Sequence, residues 1–205
     1  HKEYRRQRQM CIRDRDEVVM EYITAELKGV IGKQYAAPQG RILMNPFKDV
    51  KTSAWYGSYV IDLYNDGIIN GTSATTYAPN DTLTWGAALK LLLVSSGDLK
   101  AEDATGADWS KNTIAKAAEL GLVAADLDGA KAISRLEFCQ VAAKLNKLAE
   151  SKTESKFTDC TDGYVMALVD AKVISGMTET TFEPAASLTR AQIAKILYQL
   201  TLIEK

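Results

Sequence analysis

Between Asp16 and Ile31 apolar side chains fall at positions 18, 19, 22, 23, 27, 30 and 31, the i, i+3/i+4 spacing of one helical face, and Gly32 supplies a stop. The spacing predicts an amphipathic helix over residues 16–32 whose stripe needs a partner, either the array that follows or a preceding domain. About two heptads are too few to make a coiled coil of it. Residues 33–46, with Pro38, Gly40 and Pro46, read as a connecting segment. Near the other end Ile193, Ile196, Leu197, Leu200 and Ile203 again mark a 3.6-residue period.

The stretch between is organised by repetition. Phe47-Lys-Asp-Val50 returns as Phe157-Thr-Asp-Cys160. Residues 63–79 align without a gap on residues 168–184, pairing Gly71 with Gly176, Tyr77 with Phe182 and Pro79 with Pro184, and the register continues through Leu83-Thr84 and Leu188-Thr189. A middle copy is more worn. In it Trp109 answers Trp55, Leu120-Gly-Leu-Val123 answers Asp66-Gly-Ile-Ile69, and, after a four-residue deletion, Ile133-Ser-Arg-Leu-Glu137 answers Leu188-Thr-Arg-Ala-Gln192. Three copies of about 50 residues are thus expected at 47–100, 101–150 and 151–205. Each reads as a first helix, a turn of the Gly-Ile-Ile type, a polar loop with Thr-Thr-aromatic-x-Pro, and a longer second helix starting at Thr or Ser. The fold class is mainly α, built of helical-hairpin repeats. A lone hairpin of this size cannot bury its apolar face, whereas three packed copies can.

The starts of the second helices hold the candidate chemistry. Ser134-x-x-Glu137 and Thr189-x-x-Gln192 are capping boxes, in which the hydroxyl accepts from the third helical amide and Glu or Gln reaches back to the cap. Capping accounts for those four residues and leaves Arg135 and Arg190 over. At the first helical position a cation opposes the positive end of the helix dipole, at a cost of about a few tenths of a kcal/mol. Beside free helix amides, an arginine also makes an anion receptor, a bidentate fork plus backbone donors. A surface arginine with no ligand is the plainer alternative.

Composition narrows the chemistry. Of 25 basic and 26 acidic residues, the first fifteen positions carry six basic (Lys2, Arg5, Arg6, Arg8, Arg13, Arg15) and two acidic (Glu3, Asp14), leaving 19 against 24 and a net charge of −5. A body of that sign has no general attraction for nucleic acid or anionic lipid. The longest apolar patch, Ala87 to Val94, carries Lys90 and falls far short of the roughly 18 residues of a membrane span. No membrane insertion is expected. The only histidine is His1, which removes Ser-His and Cys-His nucleophiles, a His base and a His-rich metal site from the body. Carboxylate chemistry survives the filter. It carries no signal of its own, because among 24 acids some pair meets any glycosidase spacing.

Taken in order, Phe-x-Asp-Val, Trp, a helix ending Gly-Ile-Ile-x-Gly, aromatic-x-Pro and Leu-Thr-Arg-Ala-Gln resemble the S-layer homology (SLH) domain, over about three quarters of the chain. The resemblance implies a triplet of repeats in a pseudo-threefold arrangement, extracellular, at the cell wall or S-layer surface. It implies no enzyme and no cofactor. The partner it implies is secondary cell-wall polysaccharide, bound in grooves between repeats through a pyruvate ketal on a terminal amino sugar; self-association in a surface layer is a further partner it allows. By position, Arg190 and Arg135 become the carboxylate receptors beside Thr189 and Ser134, with Asp49, Asp159, Gly71, Thr72 and Gly176 as secondary groove residues. Asp49 and Asp159 equally suit turn capping. The chain is then expected to be the C-terminal end of a larger exported protein.

The chain departs from the pattern in two copies. The first has Trp85-Gly-Ala87 in place of Arg-Ala-Glu, which breaks the capping box and removes the receptor. Trp85 is either a sugar platform or, more simply, a packing or surface aromatic. The middle copy has Ala125 for the second turn glycine and a shortened loop, so at most two grooves are fully equipped. Trp55 and Trp109 read as core residues at helix starts.

Other readings remain. A helical-repeat module that binds protein and no glycan shares the hairpin pattern. A calcium loop at Asp126-Leu-Asp128-Gly129 fails at both ends, since Ala124 and Arg135 stand where Asp and bidentate Glu are required. Cys139 and Cys160 read as small buried hydrophobes and not as a disulfide. Residues 1–15 are expected to be a non-native leader, because Met10 to Arg15 resembles the translation of a transposase end sequence used in sequencing libraries.

Overall fold

The computed structural model describes residues 22–23, 33–36 and 42–203, with side chains from Leu43 to Ile203. In chain order the elements are β1 (Tyr22–Ile23), β2 (Lys33–Ala36), β3 (Ile42–Asn45), α1 (Gly57–Asn65), α2 (Trp85–Ser96), α3 (Trp109–Glu119), α4 (Arg135–Leu145), α5 (Gly163–Asp170) and α6 (Arg190–Leu200). The described chain is mainly helical. The leader expected at 1–15 lies outside the described residues, as does the helix expected over 16–32 except at Tyr22–Ile23, which are strand. Two compact units divide the chain, His1–Pro79 and Asn80–Ile203.

In the first unit the segment read as a connection forms strands. β1, β2 and β3 make an antiparallel sheet in that order, with Gln34 opposite Met44 and Tyr35 opposite Leu43. Pro38 and Gly40, which suggested a linker, fall between two strands, and Pro46 follows β3. Leu43 is buried with Ile61 of α1. The helix also buries Val60 and Leu63 and is followed by a turn at Gly67, φ 71°, after which the amides of Ile68 and Ile69 return to Leu63 O. The Phe47 ring lies edge-on to Tyr64 at 5.1 Å and 5.5 Å from Tyr77, a small aromatic core under the polar loop.

In the second unit the close helix pairings are α2 with α3 and α4 with α5. Each joins the second helix of one expected copy to the first helix of the next, and within this unit α3 is not packed on α4, nor α5 on α6, as a hairpin. The second helices meet at their starts. Trp85 N and Gly86 N donate to Lys131 O and Gly129 O, both at 2.9 Å; Arg135 N and Leu136 N donate to Ala186 O and Pro184 O at 2.8 and 3.0 Å; Arg190 N donates to Asp81 O at 2.8 Å. Single bridges Thr84–Ala132, Ser134–Ser187 and Thr82–Thr189 run alongside. The bonds pass from α2 to the loop before α4, from α4 to the loop before α6, and from α6 back to the residues before α2. The unit buries Leu89, Leu92, Leu93, Phe138, Val165, Leu168, Ile193 and Leu197.

The sequence repeat corresponds to a repeat of bonds. Asp49 accepts from Tyr77 N and Ala78 N, and Asp159 from Phe182 N and Glu183 N, all within 2.7–2.9 Å. Lys48 N donates to Thr75 O and Thr158 N to Thr180 O, both at 2.9 Å. After each first helix stands a left-handed residue: Gly67 at 71°, Gly121 at 69° and Lys172 at 59°. Left-handed residues also follow α2 and α4, at Gly97, 84°, and Lys147, 56°.

Two tryptophans expected in the core behave differently. Trp55 is 57% exposed, its ring edge-on to Tyr56 at 5.3 Å, which corrects the core assignment. Two tight turns, Ala54 N to Lys51 O and Gly57 N to Ala54 O, turn it outward before α1 begins. Trp109 is half-buried under Lys90, whose Nζ sits 5.3 Å from the ring centroid and donates to Ala104 O at 2.6 Å.

Candidate functional site

Arg135 is the centre of the arrangement. It is only 6% exposed, and its Cζ lies 4.5 Å from the centroid of the buried Phe182 ring. Nη2 donates to Ser175 O at 2.7 Å, while Nε is buried without a hydrogen-bond partner. Burial pushes the guanidinium's pKa below its ordinary value, with Cys139 and the Glu183 carboxylate acting the other way; a guanidinium still stays charged at working pH. The aromatic face attracts the cation and replaces part of its lost hydration.

The surroundings of Arg135 are built from the third copy. Asp159 fixes the amides of Phe182 and Glu183 at 2.8 Å each, and those two bonds hold its carboxyl below the usual carboxylate value. Glu183 takes the left-handed conformation, φ 60°, as Ala78 does at 57°. Gly176 stands where a Cβ would overlap the carbonyl oxygens of Thr178 and Thr181 and Cε1 of Phe157; Gly71 meets Ser73 O, Thr76 O and Phe47 in the same way. Neither position has room for a side chain. Thr72 closes its loop on Thr76 O with both its amide, at 2.8 Å, and its hydroxyl, at 3.2 Å.

Both capping boxes are formed. Ser134 Oγ accepts from Glu137 N and Glu137 Oε2 accepts from Ser134 N at 2.8 Å; Thr189 Oγ1 accepts from Gln192 N and Gln192 Oε1 accepts from Thr189 N at 2.9 Å. The amides expected to be free are not. Those of Arg135, Leu136 and Arg190 donate to carbonyls of other loops, so none of the three is open to an anion. Arg190 is half-buried.

Trp85 stands at the first position of α2, where α4 has Arg135. It is 7% exposed and its Nε1 is buried without a partner, so the indole offers no open face to a sugar ring. Thr84 makes no capping bond. Beside it, a Cβ on Gly86 or on Gly129 would overlap Ser110 Oγ. The shortened middle loop has closed down on α2.

Within the second unit the structure therefore gathers Ser134, Arg135, Asp159 and Gly176 around one junction. Asp49, Gly71 and Thr72 form the corresponding loop of the first unit. Sequence reasoning missed Phe182 and Ser175 as the partners of Arg135. The available signal was an aromatic recurring inside a polar loop, at Tyr77 and Phe182. Cys139 and Cys160 are free and buried, and burial pushes the Cys139 thiol up to about 12. Among the described residues no group of three or more His, Cys, Asp or Glu side chains is placed to hold a metal, and no helix is long and apolar enough to cross a membrane.

Two loops built alike around Asp, Gly and an aromatic now have a counterpart in known proteins. Residues 46–87 and 158–194 match the S-layer homology domain. The S-layer homology segments contain Asp49, Gly71, Thr72, Trp85, Asp159, Gly176, Thr189 and Arg190; Arg135 lies outside both. The chain is 29% identical over 181 residues, 76% of its length, to 18% of an endoglucanase from Bacillus sp. (strain KSM-635). It is 38% identical over 84 residues, 38% of its length, to 7% of a surface-layer 125 kDa protein from Lysinibacillus sphaericus. An amylopullulanase from Thermoanaerobacterium thermosulfurigenes is 26% identical over 174 residues, 75% of this chain and 9% of that protein. The chain thus spans less than a fifth of the length of these curated relatives.

Proposed function

We propose that this chain anchors an exported protein non-covalently to the bacterial cell wall by binding secondary cell-wall polysaccharide. The S-layer homology segments and the similarity to a surface-layer protein indicate an extracellular, cell-surface location. S-layer homology segments are cell-wall anchoring modules rather than catalytic ones, and a match to 18% of an endoglucanase carries none of that enzyme's activity over. The closed circuit of bonds between helix starts and neighbouring loops supports three repeats in a pseudo-threefold arrangement.

The observation that carries the reading is the arginine at the start of a helix inside a matched segment, half-buried at Arg190. A guanidinium there meets the carboxylate of a pyruvate ketal with its planar fork, while neutral sugar atoms contact the loops. Arg190 is the principal receptor. Arg135, 6% exposed and engaged by Phe182 and Ser175 O, acts by positioning that junction, with Ser134, Asp159 and Gly176 shaping its surroundings, and Thr189, Asp49, Gly71 and Thr72 serve as loop and cap residues. Trp85 removes the junction before the middle copy from binding.

The test is co-sedimentation of the chain with purified cell walls. Wild type binds, and Arg190→Ala, still folded by circular dichroism, loses at least tenfold in affinity. Equal binding by wild type and Arg190→Ala contradicts the assignment of the receptor, and a chain that binds no wall contradicts the anchor.

A further inference from the structure

β3 is joined to the first S-layer homology segment by more than the peptide chain. It is the last strand of the order β1-β2-β3, so among the described residues no further strand lies beside its outer edge. The side-chain amide of Asn65, at the end of α1, fills that place: Met44 N donates to Asn65 Oδ1 at 2.9 Å, and Asn65 Nδ2 donates to Met44 O at 2.8 Å. One amide presents the donor and acceptor that a neighbouring strand would present. Nδ2 also donates to Ile61 O at 2.7 Å, which holds the amide in its plane against the helix. One residue earlier Leu43 is buried with Ile61. One residue later Asn45, itself buried, donates through Nδ2 to Val50 O at 2.9 Å and accepts from Phe47 N at 3.1 Å.

Three consecutive residues are thus fixed on separate partners, two of them by buried or half-buried amides that cost free energy if left unpaired. We infer that residues 42–47 are a rigid mount, folding as one body with α1, and that β2 is carried on that mount instead of on a flexible tether. The partner of this surface is the chain's own preceding stretch, which β2 engages through four residue pairs from Lys33–Asn45 to Ala36–Ile42. The inference is independent of any glycan. Its consequence is that β2, paired with β3, moves with α1 and the loop that carries Asp49 and Gly71.

Amide hydrogen exchange and backbone relaxation on the whole chain test it. The expected result is an order parameter for residues 43–47 equal to that of α1, near 0.85 rather than below 0.6, and a Met44 amide as protected as that of Ile68. Asn65→Ala raises the Met44 exchange rate at least tenfold and leaves amides of α4 and α6 unchanged. Should Asn65→Ala unfold the first unit, Asn65→Asp keeps the acceptor for Met44 N and loses both donors, and a smaller rise is expected. A Met44 amide exchanging at the rate of an unstructured peptide, low order parameters over 43–47, or a rate indifferent to both substitutions overturns the mount.

Discussion

The guanidinium of Arg135 lies over the ring of Phe182, 4.5 Å from its centroid, and reaches past it to the carbonyl of Ser175. The two residues are far apart in sequence and belong to different expected copies. Asp159 holds the ring's own amide in place. Through this one side chain the start of α4 is pegged into the loop that follows α5.

Removing the peg is expected to be costly. Arg135→Ala deletes a buried cation–π contact and a charged hydrogen bond, about 3 kcal/mol together. Arg135→Lys keeps the charge without the planar fork and should recover roughly half of that. Urea unfolding followed by the fluorescence of Trp85 and Trp109, which lie in the same unit, measures both. A loss below about 0.5 kcal/mol for the alanine variant would mean that the ring and carbonyl contacts do little.

Gly176→Ala is expected to be among the most damaging single-methyl changes. Its Cβ would overlap two backbone carbonyls and the edge of Phe157, none of which is the tip of a flexible side chain. Overpacking against backbone of this kind costs about 3 kcal/mol or more. Gly71→Ala should do the same to the first unit, and the thermal midpoint reports each.

The left-handed residues after the first helices give a finer comparison. Lys172 holds φ 59° where its counterparts Gly67 and Gly121 hold 71° and 69°. Lys172→Gly should stabilise by about 1 kcal/mol, and Gly121→Ala should destabilise by about the same amount. A Cβ at Gly121 meets nothing within 4 Å, so the change isolates backbone strain. Opposite signs in matched urea titrations are the expected outcome; equal signs would contradict the shared turn.

Acid should loosen the loop that carries Phe182. The amides of Phe182 and Glu183 favour the charged Asp159 and hold its pKa below 3.8. The folded value is therefore depressed, so the stabilisation is complete above the unfolded value and fades as pH falls through the lower, folded one. Relative to the intrinsic rate at each pH, exchange of the Phe182 amide should accelerate below about pH 4 in wild type. In Asp159→Asn it should be faster at neutral pH and lack that acid step.

Much of this was legible in the sequence where the cause is local. The capping boxes at Ser134 and Thr189 appear in the structure because a hydroxyl and the residue three positions on decide them within one helical turn. The pairing of Asp49 with Asp159, and of Gly71 with Gly176, followed from the repeat and survives as identical bonds. The burial of Arg135 was not legible, since it depends on a loop contributed by the next copy. Nor were the occupied helix amides, for the same reason. β2 and β3 were hidden because each is four residues long and flanked by breakers, and the exposure of Trp55 depends on two turns that composition does not reveal.

The central claim is that the chain holds a wall polysaccharide through a ketal carboxylate. Its most direct measurement is the binding of the whole chain to purified cell walls before and after mild acid removal of pyruvate ketals. Binding should be saturable and fall at least tenfold on ketal removal, and by a similar factor in Arg190→Ala on untreated walls. Undiminished binding after ketal removal would contradict it and would place recognition on neutral sugars or on a protein partner.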